Sequence, residues 1–289
     1  MNPTPIEYLT HTWNPLAMRC SRVSEGCRHC WHIPLCDRFA ANPIFSTAER
    51  DAYAGGEIVL RRKELAAPMT RTKPARIGVQ FMGDLFHELV FGAIQRDVFC
   101  VMRNYSQHTF LVLTKRVERM QAFLRRFYGS EVFGRPEQYS HVWGMATAEN
   151  QDMANKRVPI LLQCPFAIRG VSVEPMLGPV DLYPHFQCWR CGDFGKTWDG
   201  LTDHDCPECN CNGADRGNVN GGLDWVIIGC ESGPKRRPCK LEWVRDLVQQ
   251  CQAAGVPCFV KQLDIDGKVS KDPAAWPEDL RVREYPCVS

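Results

Sequence analysis

An α/β fold follows from the order in which strand-like and helix-like stretches occur along this chain of 289 residues. Short apolar runs alternate with segments of helical periodicity throughout, the pattern that sets parallel strands beside crossover helices. No glycine-rich dinucleotide fingerprint follows any strand, which argues against a Rossmann sheet. Six or seven such units predict a complete or partial (β/α) barrel of six to seven parallel strands, interrupted by a cysteine-rich insert.

In chain order, Ile6 to Trp13 reads as a short strand feeding a cysteine loop, and Pro34 to Ala41 begins a helix. Residues 42–74 are helical or irregular, with basic spots at Arg61-Arg62-Lys63 and Arg71-Thr72-Lys73. Arg76 to Met82 is a strand that stops at Gly83-Asp84. Apolar spacing makes Phe91 to Tyr105 a helix, His108 to Leu113 a strand, and Arg116 to Tyr128 a basic amphipathic helix closed by Gly129. The strand His141 to Ala146, a helix from Asn150 to Lys156 and the strand Phe166 to Val173 follow. Beyond the insert come the strand Asp224 to Gly229, the helix Glu242 to Ala254 and a last strand from Pro257 to Lys261. Four segments result: barrel 1–183, insert 184–222, barrel 223–263 and a tail, 264–289, without regular structure.

Composition bounds the function. With 44% hydrophobic and 24% charged residues the chain can bury one large core or two smaller ones. It has no apolar run approaching the roughly 20 residues that span a bilayer, and no basic-then-apolar leader after Met1, so the expected location is the cytoplasm and no membrane partner is expected. A net charge of +2 gives no global argument for nucleic acid. Sixteen cysteines in a reducing compartment read as metal ligands or small buried side chains rather than disulfides.

Cys20, Cys27 and Cys30 stand at C-x6-C-x2-C spacing. Three close thiolates suit an iron–sulfur cluster that leaves one iron open. Cys36 lies six residues on, and a closed site of four thiolates would make zinc a rival.

Thr12-Trp13-Asn14-Pro15 before this loop, and Met82-Gly83-Asp84-Leu85-Phe86-His87 and Gly229-Cys230-Glu231-Ser232-Gly233-Pro234 after it, resemble the phage and mobile-element family of three-cysteine-motif proteins, a divergent branch similar to radical S-adenosylmethionine (SAM) enzymes. The resemblance runs from about Ile6 to about Gln262. Its first cysteine gap is longer than the usual C-x3-C-x2-C, so SAM is implied by likeness alone. The likeness implies a [4Fe-4S] cluster on Cys20, Cys27 and Cys30, reductive cleavage of SAM to a 5′-deoxyadenosyl radical, hydrogen abstraction, and a reductant such as flavodoxin or ferredoxin. For a phage gene the compartment would be the host cytoplasm.

In a barrel the chemistry sits at the carboxyl ends of the strands, and polar residues recur there. By the same resemblance Gly83 and Asp84 approach the amino group of SAM, and Lys115 and Arg116 meet its carboxylate or a substrate phosphate. Glu174 and Glu231 face ribose hydroxyls or substrate, with Glu149 and Ser172 completing the set. Helix capping by Asp84 and ion pairing of the glutamates are the competing structural readings.

Cys188, Cys191, Cys206 and Cys209 form C-x2-C-x14-C-x2-C, which resembles a zinc ribbon; a structural zinc is expected, with an auxiliary iron–sulfur cluster as the alternative. Cys211, His185 and His204 lie near enough in sequence for ligand exchange. Two functions follow. The first is a radical SAM enzyme acting on a nucleobase or nucleotide in phage DNA modification, with Lys115, Arg116, Arg119, Lys235, Arg236 and Arg237 as phosphate contacts. The second is a non-enzymatic, metal-stabilised nucleic-acid-binding or regulatory protein; a redox-sensing cluster is a third.

Overall fold

The structure is a computed structural model, and it describes residues 1–128, 139–186, 196–198, 203–205 and 222–287. The chain divides into two compact units: Met1–Ala146 with Gly233–Arg236, and Thr147–Ser232 with Arg237–Ser289.

Unit 1 opens with three short strands, β1 (Asn2–Pro3), β2 (His11–Trp13) and β3 (Leu16–Ala17). Helices α1 (His32–Ala40) and α2 (Thr47–Ala54) pack through Cys36, Ala52 and Tyr53. Ser46 and Glu49 cap α2 reciprocally, and Gly55 ends it in a left-handed conformation. After β4 (Val59–Leu60), which pairs antiparallel with β3, and α3 (Arg62–Leu65), two strand–helix repeats and a third strand follow. They are β5 (Arg76–Val79), α4 (Gly92–Asn104), β6 (Thr109–Thr114), α5 (Val117–Tyr128) and β7 (Val142–Thr147), whose last residue falls beyond the unit boundary. Strands β2, β5, β6 and β7 are parallel and in that order. Burial of β5, β6 and β7 is nearly complete on both faces, which is why they read as continuous apolar runs. Phe99, Phe127 and Tyr139 join α4, α5 and the approach to β7 in one aromatic cluster.

Unit 2 contains α6 (Gln151–Leu161), β8 (Arg169–Val173), a hairpin of β9 (Lys196–Trp198) and β10 (Asp203–Asp205), then β11 (Trp225–Gly229), α7 (Leu241–Ala254), β12 (Cys258–Ile265) and β13 (Lys268–Ser270). Strands β8, β11 and β12 run parallel, and β13 returns antiparallel on β12.

The barrel expectation is corrected. Strand β1 lies antiparallel on the outer edge of β2, and β13 lies antiparallel on the outer edge of β12, so the parallel strands end in antiparallel edges and the mixed sheet stays open. The tail expectation changes for a local reason. Asp266 and Gly267 both take positive φ, 49° and 70°, the geometry of a two-residue hairpin turn, and they reverse the chain into β13. Among the described residues no helix is long and apolar enough to cross a membrane.

Candidate functional site

In unit 1 the carboxyl ends of β2, β5 and β6 are tied together by polar side chains. Gln80 takes a positive φ of 52° just after β5, and its amide bonds Leu16 N at 2.9 Å, Leu16 O at 3.2 Å and Met82 O at 2.7 Å. Asn14 Oδ1 accepts from Met82 N at 2.9 Å. Gly83 follows at φ 127°, and a Cβ there would lie 2.7 Å from Met18 Sδ, so this position requires glycine.

Asp84, buried beside it, is saturated from within the unit. Phe86 N donates to Oδ1 at 2.9 Å, the Thr114 hydroxyl lies 2.8 and 2.9 Å from the two oxygens, and Arg116 Nη1 reaches Oδ2 at 3.2 Å. Arg116 is equally occupied: Nε donates to Glu88 Oε1 at 2.9 Å, and Nη2 to Ser21 Oγ at 2.7 Å and Ser21 O at 3.2 Å. Burial works to raise the Glu88 carboxyl, but the Arg116 hydrogen bond and charge outweigh it and hold it at about 2.

His87 Nε2 sits 2.9 Å from Ser21 Oγ and receives the Ser21 N–H at 3.2 Å; Leu89 N–H points at Nδ1 from 3.2 Å. Two N–H donors facing the ring oppose an imidazolium, which donates from both nitrogens. Burial and the nearby Arg116 charge lower the His87 pKa, so the ring is neutral at pH 7. The whole network acts as a clamp. It fixes Cys20-Ser21 to the 84–89 loop and to the end of β6.

The expected iron–sulfur site is corrected here. Among the described residues, which include Cys20, Cys27, Cys30 and Cys36, no three His, Cys, Asp or Glu side chains gather into a set able to hold a metal ion. Cys20 Sγ is instead 3.6 Å from Arg116 Nη1 and 3.5 Å from Ser21 O. Burial pushes its thiol up to about 11 although Arg116 opposes the shift. Cys27 closes a short 3₁₀ turn, and Cys36 is buried in α1 at 3.3 Å from His32 Nε2. With no convergent thiolates there is no open iron for SAM, and the radical SAM assignment, its cofactors and its reaction are withdrawn. Cys188, Cys191, Cys206, Cys209 and Cys211 lie outside the described residues, as does the zinc expectation placed on them.

The other expected site residues fall in unit 2, and each acid there has a basic partner. Glu149, fully buried, meets Arg157 Nη1 at 2.8 Å; Glu174 pairs with Lys261; Glu231 meets Arg237 Nη2 at 2.5 Å and Nε at 2.9 Å. Ser172 is buried within β8. Each of the three glutamates is thus ion-paired. Of the expected phosphate contacts, Arg116 and Arg237 are thus spent on carboxylates. Arg119 is exposed while donating to Phe86 O at 2.9 Å, and Lys115 is half-buried.

What the whole-chain charge conceals is its division. By sequence, unit 1 holds 21 Lys and Arg against 13 Asp and Glu, a net +8, whereas unit 2 holds 14 against 20, a net −6. Exposed large apolar side chains divide the same way: Val23, Trp31, Ile44, Met69, Leu89 and Phe91 belong to unit 1, and among the described residues only Tyr183 to unit 2. Counting charge by segment would have found the asymmetry; where to cut the chain came only with the fold.

These features define an open α/β protein whose first unit holds the clamped loops and a net +8 and whose second unit holds a net −6. The chain belongs to the family DUF5131, described as a protein of unknown function, whose model matches residues 3–275. That match, with no set able to hold a metal ion among the described residues, replaces the three-cysteine resemblance. No curated protein and no solved structure matches the chain.

Proposed function

We propose that this protein binds nucleic acid through unit 1. The observation that carries the reading is the net +8 of that unit against −6 in the other, because a charge asymmetry of this size within one chain is the electrostatic footprint of a polyanion partner. Exposed Arg22, Lys73, Arg125 and Arg126 supply mobile cations for phosphates, while the buried Arg116 keeps the loops in place. Such contacts release counterions, so affinity falls with salt at a log–log slope of about −0.7 to −0.9 per phosphate contacted.

The test is fluorescence anisotropy of a labelled oligonucleotide titrated with protein at several salt concentrations. Binding whose logarithm falls linearly with that of salt supports the proposal. No binding at low salt would remove it.

A further inference from the structure

We infer that the ligand of the clamped loop face is single-stranded nucleic acid, whose unpaired bases stack on Trp31 and Phe91 while its phosphates meet Arg22, Lys115 and Arg119. This inference rests on the nucleic-acid reading above and names the form of its ligand.

Two loops form the face. One is the cysteine loop, carrying Arg22, Val23, Arg28 and Trp31; the other is the 84–91 loop, carrying Leu89 and Phe91. Ser21, His87, Glu88 and Arg116 bind them together through the hydrogen bonds given above. Trp31 is 52% exposed and Phe91 75%, large values for side chains that ordinarily seek burial. A duplex hides the faces of its bases and offers such rings nothing to stack on. A single strand presents both base faces and backbone charge, and exposed aromatics interleaved with arginines are the combination that captures it. An apolar protein partner would match the rings but not the net +8 of the unit that carries them.

Rigidity of the clamp adds to this. The face is held by a buried ion pair, Asp84 to Arg116, and by the bonds to Ser21, so little ordering of the loops is required when a strand binds. Both aromatics are exposed on the loops that this framework joins.

The experiment compares the affinity of the full chain for a single-stranded oligonucleotide of about 20 nucleotides with that for the duplex of the same sequence, for wild type, Trp31→Ala, Phe91→Ala and Trp31→Phe. Tighter binding of the single strand is expected, with a loss of about tenfold or more for each alanine variant, restoration in Trp31→Phe, and little change toward the duplex. Because both residues are exposed, unchanged circular dichroism and melting will show that the variants fold. Equal affinity for both forms with neither alanine variant affected would overturn this inference while leaving the nucleic-acid reading in place. Failure of wild type to bind either form would remove both. Binding to anionic phospholipid vesicles without oligonucleotide binding would assign the face to a lipid surface, and salt-sensitive self-association alone would assign it to the acidic unit of a second copy; either overturns the inference.

Discussion

The two units solve the same problem differently. Each must satisfy polar side chains at the carboxyl ends of buried parallel strands. Unit 1 does so with one connected network, in which Arg116 alone serves Asp84, Glu88 and Ser21. Unit 2 matches each acid with one base: Glu149 with Arg157, Glu174 with Lys261, Glu231 with Arg237. The network cross-links loops far apart in sequence and leaves exposed residues on a fixed frame. In unit 2 each acid is met by a base of its own, with Lys261 reaching Glu174 across 87 residues and Arg157 also donating to Thr147 O. The lesson is that a polar strand end is not evidence of a ligand until its partners have been counted.

The largest expected difference is in stability. Arg116→Met strands the buried Asp84 carboxylate and should cost about 3–5 kcal/mol in urea unfolding, whereas Lys261→Met, which frees a partly exposed Glu174, should cost about 1–3 kcal/mol. Equal losses would abolish the contrast.

Acidity should bear mainly on unit 1. Burial lowers the pKa of His11, His87 and His108, and holds His32 at about 4. A histidine depressed in the folded state takes up its proton more readily when unfolded, so stability is full above pH 6.5 and falls as pH drops from there toward 4. His32 by itself contributes on the order of 3 kcal/mol to that loss. Urea midpoints that stay level across this window would contradict the burial of these rings.

Coupling offers a sharper comparison. Ser21→Ala and His87→Gln, which touch one another, should show an interaction energy of roughly 0.5–3 kcal/mol in a double-mutant cycle. Glu174→Gln and Glu231→Gln belong to different pairs and should add to within about 0.5 kcal/mol. The smallest effect is expected for Arg125→Glu with Arg126→Glu, exposed on α5, which should change stability by no more than about 0.5 kcal/mol while weakening oligonucleotide binding.

Much of the fold was legible because buried parallel strands and amphipathic helices have distinct periods. Thr109–Thr114 and Val117–Tyr128 lie within a residue of where the apolar pattern puts them. The closure of the sheet was not legible. It is decided by two strands of two and three residues, β1 and β13, and β13 was announced only by the Asp266-Gly267 turn. At the site, the Gly83-Asp84 turn is legible in the sequence but its partners are not: the glycine makes room for Met18 and the carboxylate is met by Thr114 and Arg116. Spacing brought Cys20, Cys27 and Cys30 together on paper. It carries no information on where the sulfurs point, and Arg116, 96 residues from Cys20, claims the first of them. Ser21 and His87 were missed as partners, for they are 66 residues apart and nothing in either stretch names the other.

The most direct test moves the same charge in the two units. Arg22, Arg125 and Arg126 are exposed in unit 1, and Lys240, Lys268 and Lys271 in unit 2. Replacing either trio by glutamate changes the net charge of the protein identically. Oligonucleotide affinity should collapse for the unit 1 trio, with a shallower salt slope, and stay near wild type for the unit 2 trio. Equal losses from both would mean that total charge alone governs binding, and would contradict a nucleic-acid surface confined to unit 1.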